Sequence, residues 1–132
     1  MSPEELEELL EAHSQWLQNG QEGHRAVLID QDLRVLDLRG ADLRNADLRG
    51  ANLSDADLSS ANLCGANLSQ AVAYNATMES CLLQEADLSE ADLRRANLKG
   101  ADMTHAEVWR TNMKGCTIEP QTLHVVLGCV LP

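Results

Sequence analysis

A five-residue phrase that repeats without interruption from Ala41 to Leu68 constrains the fold of this chain more than any other feature. The segment reads ADLRN ADLRG ANLSD ADLSS ANLCG ANL, in which alanine opens each phrase, Asp or Asn follows and leucine is third. An α-helix turns about 100° per residue and a strand alternates sides at every residue, so neither places residues five apart on one face. The period therefore excludes an ordinary helix and a flat strand.

The spacing inside the phrase indicates how the chain folds instead. With leucine called position i, the alanine at i−2 and the leucine are spaced like same-face neighbours of a short strand. The chain must turn a corner after each such pair to bring the next pair inward. Successive coils would stack about 4.8 Å apart through backbone hydrogen bonds. The pattern predicts a β-solenoid, and it leaves open whether three, four or five phrases close one coil.

The A-(D/N)-L-x-x array, in phase from about Ala26 to Pro120, resembles the pentapeptide-repeat proteins. The resemblance implies an all-β fold over residues 26–120, a right-handed quadrilateral β-helix with four phrases per coil. In such a coil the i and i−2 side chains are expected to be buried and the i+1 side chains to be exposed. Leu48, Leu68 and Leu88 are then expected to stack on one face.

Residues 1–25 are predicted to form an N-terminal capping helix and a linker. Ser2 and Glu5 fit a capping box, Pro3 fits the first helical position, and Gly20 is placed to end the helix. The end of a solenoid exposes its core and an unpaired edge, so a cap is the expected role. A partner-binding or membrane-surface helix is the weaker alternative, because the polar face is acidic where membrane-surface helices are usually basic.

Residues 121–132 are interpreted as an apolar C-terminal cap or dimerisation tail. The candidate cap or dimer contacts are Val125, Val126, Leu127, Val130 and Leu131. An exposed apolar run of this length would promote aggregation, so these side chains are expected to be buried. Several members of the resembled family dimerise through their C-terminal ends. A monomeric cap is nevertheless favoured here over a C-terminal homodimer, because no strict coil remains to offer a flat self-complementary edge.

Two features of the surface pattern concern contacts. In the first coil four arginines at i+1 each follow an aspartate at i−1, which predicts exposed pairs that neutralise each other and contribute little stability. Between Gln70 and Gln84 the phrase weakens without losing phase. Val72 and Tyr74, on one predicted face, form a candidate apolar contact patch there. Simple sequence drift is the favoured explanation, since scattered surface hydrophobes are common.

Residue patterns that carry chemistry are missing from the sequence. The histidines are scattered, no C-x-x-C pair has metal-site spacing, and there is no phosphate-binding loop or nucleophile motif. The chain is therefore interpreted as a non-enzyme without cofactor or metal. Glutamates stand at the N-terminus where a signal peptide needs positive charge, which favours a cytoplasmic protein without a membrane segment. The cysteines are interpreted as reduced structural thiols.

The distribution of charge suggests a function. The net charge of −11 argues against direct nucleic-acid binding. Residues 50–93 contain no Lys or Arg, and their carboxylates define a candidate partner-binding acidic belt. The belt consists of Asp55, Asp57, Glu79, Glu85, Asp87, Glu90 and Asp92. The leading hypothesis is a non-catalytic protein–protein interaction module, an acidic solenoid rod that docks an unidentified basic partner protein.

The family resemblance implies an alternative function. Quinolone-resistance pentapeptide proteins are thought to imitate DNA, so the chain could be a DNA mimic that acts on a type II topoisomerase or another DNA-binding protein. The belt would be roughly 11 Å long and would match the charge density of DNA. This length is only about one third of a DNA helical turn of about 34 Å. DNA mimicry therefore ranks second.

Overall fold

The computed structural model describes residues 1–128 of the chain. An N-terminal helix, α1 (Pro3–Gln18), precedes a coil of parallel β-bridges that runs from Val27 to Thr117. A short helix, α2 (Pro120–Val126), follows the last coil. The predicted tail contacts Val130 and Leu131 lie outside the described residues.

The β-bridges fix the size of the coil. Each bridge joins an i−1 residue to the residue twenty positions later, as in Asp47 with Asn67. Between the same coils the Leu48 N–H donates to the Asn67 carbonyl at 2.7 Å, and the Asn67 N–H donates to the Ala46 carbonyl at 2.9 Å. Twenty residues are four phrases, so the four-sided coil is confirmed. Each side holds one bridged residue because the chain turns again two residues after the leucine.

The interior consists of four stacked columns, one for each face of the coil. Face A carries Leu28, Leu48, Leu68 and Leu88; face B carries Leu33, Leu53, Ala73 and Leu93; face C carries Leu38, Leu58, Met78 and Leu98; face D carries Leu43, Leu63, Leu83 and Met103. All of these side chains are buried. The predicted stacking of Leu48, Leu68 and Leu88 is confirmed, and a core without Phe is possible because the coil is narrow enough for leucine and alanine to fill it.

Each corner is a hydrogen-bonded turn with one residue in the left-handed region. The Ala46 N–H donates to the Leu43 carbonyl at 3.0 Å, and its counterparts recur along the array. Every i+2 residue from Asp30 to Gly115 has a positive φ. The Asp or Asn at i−1 supports the corner because its Oδ1 accepts the i+1 N–H, as Asn52 does from Ser54 at 3.0 Å. The recurrent Asp and Asn side chains therefore stabilise the turns between the sides of the coil.

Helix α1 caps the first coil through a buried histidine. The Ala26 N–H donates to His13 Nδ1 at 2.9 Å, and His13 Nε2 lies 3.0 Å from the Arg44 carbonyl oxygen. The ring of Trp16 stacks on the His13 ring with 5.5 Å between centroids. The capping box of Ser2 and Glu5 is present as predicted. One imidazole therefore joins the helix to two separate segments of the coil.

Helix α2 buries less of the tail than the sequence predicts. Val126 packs against the core, whereas the side chains of Val125 and Leu127 are 56% and 55% exposed in the single chain. Consecutive residues of a helix point about 100° apart, so three in a row cannot all face the last coil. The expectation that a monomeric cap buries Val125 and Leu127 is therefore wrong. Whether a second molecule covers them stays a prediction.

Candidate functional site

The structure spreads the seven carboxylates of the acidic belt over the whole circumference of the coil. Asp87 and Glu90 belong to face A, Asp55 and Asp92 to face B, Asp57 and Glu79 to face C, and Glu85 to the corner between faces D and A. The chain changes face at every phrase, so acids that are close in sequence are turned away from one another. The belt is therefore not one continuous surface.

Several belt carboxylates already have polar partners. Asp92 forms an ion pair with Arg94 at 2.7 Å. Asp57 accepts hydrogen bonds from the Ser59 N–H and hydroxyl at 3.0 and 2.6 Å. The Asp55 carboxylate accepts a hydrogen bond from the Asn75 amide at 2.6 Å. Of these contacts, only the ion pair with Arg94 neutralises a charge, because the donors to Asp55 and Asp57 are neutral groups.

The Arg–Asp pairs of the first coil form as the sequence predicts. The NH2 groups of Arg34, Arg39, Arg44 and Arg49 lie 2.7 Å from the carboxylates two residues earlier. The Arg39 side-chain hydrogen bond, followed by its backbone N–H, lowers the pKa of Asp37 to about 2. Three of these pairs are exposed and easily screened, whereas Asp47 of the fourth pair is buried. All four pairs neutralise charge at the lower end of the rod.

Four carboxylates without an ion pair lie on face A and at its two corners, with faces D and B. This acidic patch comprises Glu85, Asp87, Glu90 and Glu107. Asp87 and Glu107 are direct β-bridge neighbours, about 4.8 Å apart along the rod. Asp87 is half-buried and accepts the Ser89 N–H at 2.9 Å, while the other three side chains are exposed. Within residues 1–128, none of the four forms an ion pair with Lys or Arg.

The belt as defined from the sequence misses Glu107. In the sequence the belt ends before Arg94, the next arginine along the chain, whereas the coil determines which residues are neighbours on the surface. The signal was present in the sequence, because Glu107 follows Asp87 by the length of one coil. Arg110 lies one coil above Glu90, but its guanidinium carbon is 5.1 Å from the centre of the Trp109 ring. Arg110 forms no ion pair within residues 1–128, so the four carboxylates of the patch keep a net negative charge beside this one neighbouring cation.

Face B differs from face A in the sign of its charge. Its phrases and corners from 31 to 115 carry Asp32, Asp55 and Asp92 against Arg34, Arg94, Arg95 and Lys114. Face A, from 26 to 110, carries Asp30, Asp47, Asp87, Glu90 and Glu107 against Arg49 and Arg110. The rod is thus acidic on one side and slightly basic on the adjacent one.

The candidate contact patch of Val72 and Tyr74 lies on face B. Both side chains are half-buried. The guanidinium carbons of Arg94 and Arg95 lie 5.6 and 5.9 Å from the centre of the Tyr74 ring, and Arg95 donates to the Tyr74 hydroxyl at 3.2 Å. The arginines therefore cover much of the aromatic surface that the sequence suggested for partner contact.

Other site types find little support in residues 1–128. No group of His, Cys, Asp and Glu in that range is arranged to hold a metal ion, and neither helix there is long and apolar enough to cross a membrane. Burial raises the pKa of the Cys81 thiol to about 12, so this cysteine is poorly suited to act as a nucleophile.

Comparison with known proteins identifies the repeat. The family described as pentapeptide repeats matches in 8 copies over residues 24–59, 51–84 and 81–119. A comparison with curated protein sequences found no match. Among solved structures, a pentapeptide repeat protein of the Arabidopsis thaliana thylakoid lumen is 30% identical over 67% of this chain and 62% of its own, with a TM-score of 0.65.

Two cyanobacterial proteins are similar to a comparable degree. HetL from Nostoc, a pentapeptide repeat protein involved in regulating heterocyst differentiation, is 37% identical over 70% of this chain and 46% of its own, with a TM-score of 0.63. A second Nostoc pentapeptide repeat protein is 32% identical over 72% of this chain and 86% of its own, with a TM-score of 0.66. The chain thus spans less than two thirds of the first two structures. The fold they share with it is the right-handed quadrilateral β-helix.

Proposed function

Because the chain belongs to the pentapeptide-repeat family, we propose that it is a protein-interaction module whose acidic patch docks a basic segment of a partner protein. Proteins of this family are generally structural or interaction repeats rather than catalysts. The repeat supplies a stiff support on which side chains stand in fixed columns. A surface of this kind is suited to recognise a partner by the placement of its charges.

The observation that carries the proposal is the unpaired charge of the acidic patch. Five other aspartates at i−1 pair with an arginine two residues later, as Asp47 does with Arg49 and Asp92 with Arg94. In the patch, the i+1 residue after Asp87 is Ser89, whose backbone N–H it binds, and no cation is supplied from within the described chain. A cation of a partner can therefore approach without displacing an internal one. Complementary charges of this kind raise association rates and select partners more than they add affinity.

The DNA-mimic alternative predicts a different arrangement. A mimic of duplex DNA should present carboxylates continuously along the rod, because DNA carries one charge per about 1.7 Å. Here four aspartates of the first coil pair with arginines, and the adjacent faces A and B carry net charges of opposite sign. This arrangement favours a local docking site for a basic segment over imitation of a long duplex.

The experiment compares two charge-matched double variants in a pull-down from native lysate. Glu85→Gln with Glu90→Gln neutralises the patch, and Asp55→Asn with Glu79→Gln removes the same charge from faces B and C. The first variant is expected to weaken capture of a salt-eluted partner, and the second to retain it, because exposed charges act only over about 8–10 Å at physiological salt.

Two outcomes would contradict the proposal. Equal loss of capture in both variants would mean that total charge, rather than the patch, holds the partner. Inhibition of gyrase supercoiling by stoichiometric amounts of the purified protein would favour the DNA-mimic alternative. Circular dichroism of both variants checks that the coil is intact, which is expected because all four side chains lie on the outside.

A further inference from the structure

An apolar groove runs between helix α1 and the first coil, on the side of faces C and D. Its volume is about 460 Å³, and its lining is Pro3, Leu6, Glu7, Leu10, Glu11, Ser14, Leu36, Asp37 and Asp42. Leu6 is buried at its base, Leu10 and Leu36 are half-buried, and Pro3 is exposed at its end. The groove therefore presents apolar surface that neither the helix nor the coil fully covers.

One residue of the repeat departs from the usual pattern to make this groove. Leu36 occupies an i−2 position, where alanine is the usual residue of the array. An alanine at i−2 is buried inside the coil, as Ala56 is one coil above, whereas the larger Leu36 remains half-exposed. Leu36 thus forms an apolar wall opposite Leu10 of α1.

The rim of the groove is acidic. Asp37 and Asp42 are already paired with Arg39 and Arg44, so they contribute little net charge. The remaining carboxylates, Glu7 and Glu11, are exposed and form no ion pair in the part of the chain that the structure describes. They are four residues apart on α1, which places them about 6 Å apart along the helix axis. No Lys or Arg lines the groove.

We infer that this groove binds a basic amphipathic helix of a partner protein. Its apolar residues lie between Leu10 and Leu36, and two of its Lys or Arg side chains, one helical turn apart, pair with Glu7 and Glu11. The charges argue for this occupant, because the charged groups without an ion pair at the rim, Glu7 and Glu11, are both acidic and an acidic or neutral helix would leave them without a counter-charge. An amphipathic helix in an apolar groove is a recurrent mode of peptide recognition. The inference rests on the proposed interaction function and names a second contact, distinct from the acidic patch.

The test uses the full chain and a synthetic probe. The probe is an amphipathic peptide of leucine, lysine and alanine, about 16 residues long, which is long enough to form a helix on binding. Fluorescence anisotropy of the labelled peptide gives its Kd. A second peptide has the same composition in a scrambled order without an apolar face. The amphipathic peptide is expected to bind at least tenfold more tightly than the scrambled one, because only the former can fill the groove.

Matched variants locate the binding site. Glu7→Gln with Glu11→Gln is expected to weaken binding about three- to tenfold, while Glu4→Gln with Glu8→Gln, which removes the same charge outside this groove, changes it less than twofold. Leu36→Ala restores the usual residue of the repeat and is expected to weaken binding about tenfold without loss of the coil, which circular dichroism checks.

The outcomes separate this inference from the proposed function. Equal binding of the two peptides, or equal effects of the two glutamate pairs, would overturn the groove as the binding site. The groove inference is wrong if the Glu85→Gln, Glu90→Gln variant no longer binds the peptide while the groove variants (Glu7→Gln with Glu11→Gln, and Leu36→Ala) still bind it. That result would assign the peptide to the acidic patch. If only the groove variants bind the peptide more weakly, the groove is its binding site, independently of what the acidic patch binds.

Discussion

Replacement of His13 by leucine should release helix α1 from the coil. The imidazole accepts the Ala26 N–H at Nδ1 and contacts the Arg44 carbonyl at Nε2, and its side chain is completely buried. Since Nδ1 accepts, the proton of the neutral ring lies on Nε2 and is donated to Arg44. Leucine fills part of the space and satisfies neither backbone group. A buried backbone group without its partner costs about 1–3 kcal/mol, so the docked state should lose about 2–6 kcal/mol.

The loss of stability cannot exceed the free energy with which α1 docks on the coil, because the helix can detach instead. An isolated helix of this length is marginal in water, so the undocked segment should also lose helicity. Urea unfolding followed by circular dichroism measures both the lower midpoint and the lost helical signal. His24→Leu is the control, because His24 is exposed and its backbone N–H, rather than its ring, binds Ala12. A loss below about 1 kcal/mol with α1 still helical would refute the argument.

The same contact predicts how stability depends on pH. Burial is the main cause that lowers the pKa of His13, and the positive charges of Arg25 and Arg44 lower it further. The hydrogen bond to the Arg44 carbonyl and the charge of Asp42 raise it by a smaller amount. A histidine whose folded pKa lies below its unfolded value of about 6.5 stabilises the fold above that value, and this contribution is lost as the pH falls. Between pH 7 and pH 5 the wild type should lose up to about 2 kcal/mol that the His13→Leu variant does not lose. Equal pH dependence of the two proteins would contradict the assignment.

Three further predictions concern the coil and the tail. Positions 35 and 40 both have φ near +60°, which Asn and Gly tolerate better than a β-branched residue. In thermal unfolding, Val35→Asn should therefore stabilise the protein by about 0.5–1 kcal/mol and Gly40→Val should destabilise it by about 1–2 kcal/mol. Changes of the opposite sign would contradict the argument from backbone strain. Leu53→Ala should lower the free energy of unfolding in urea by about 2–5 kcal/mol, because Leu53 is buried in the interior column. Leu82→Ala, at a part-exposed position, should lower it by less than about 1 kcal/mol. Similar losses in the two variants would mean that the interior column is not tightly packed. Light scattering should give the monomer mass of 14.4 kDa, and a dimer that dissociates when residues 125–132 are removed would show that the tail pairs between molecules.

Much of the fold can be predicted from the sequence because the repeat is itself the structural rule. A leucine every five residues requires a corner after each inward pair. The phase kept from Leu28 to Leu98 predicts which leucines and alanines of the array are buried. The alternation of Asp or Asn at i−1 with a turn two residues later likewise predicts the backbone hydrogen bonds at the corners. The capping box of α1 follows from Ser2, Pro3 and Glu5 alone. These features depend on residues no more than five apart.

The candidate sites were harder to predict because they depend on residues one coil or more apart. The acidic belt follows the order of the chain, whereas the acidic patch joins Glu85 to Glu107 across coils and excludes Asp92, which pairs with Arg94. The surface around Tyr74 is covered by two arginines about one coil away. The charge and exposure of these side chains depend on neighbours about twenty residues away in the sequence. A charge pattern considered only along the chain does not show which residues are such neighbours.

The sequence by itself determined a solenoid with a leucine and alanine interior, because its period allows no other way to bury those side chains. The tertiary structure decided how the ends are closed and which charges remain unpaired. His13 recognises Ala26 and Arg44, which lie 13 and 31 residues away, so its role exists only once α1 has docked. Leu36 becomes a groove wall for the same reason, since the helix that forms the opposite wall is brought there by tertiary packing.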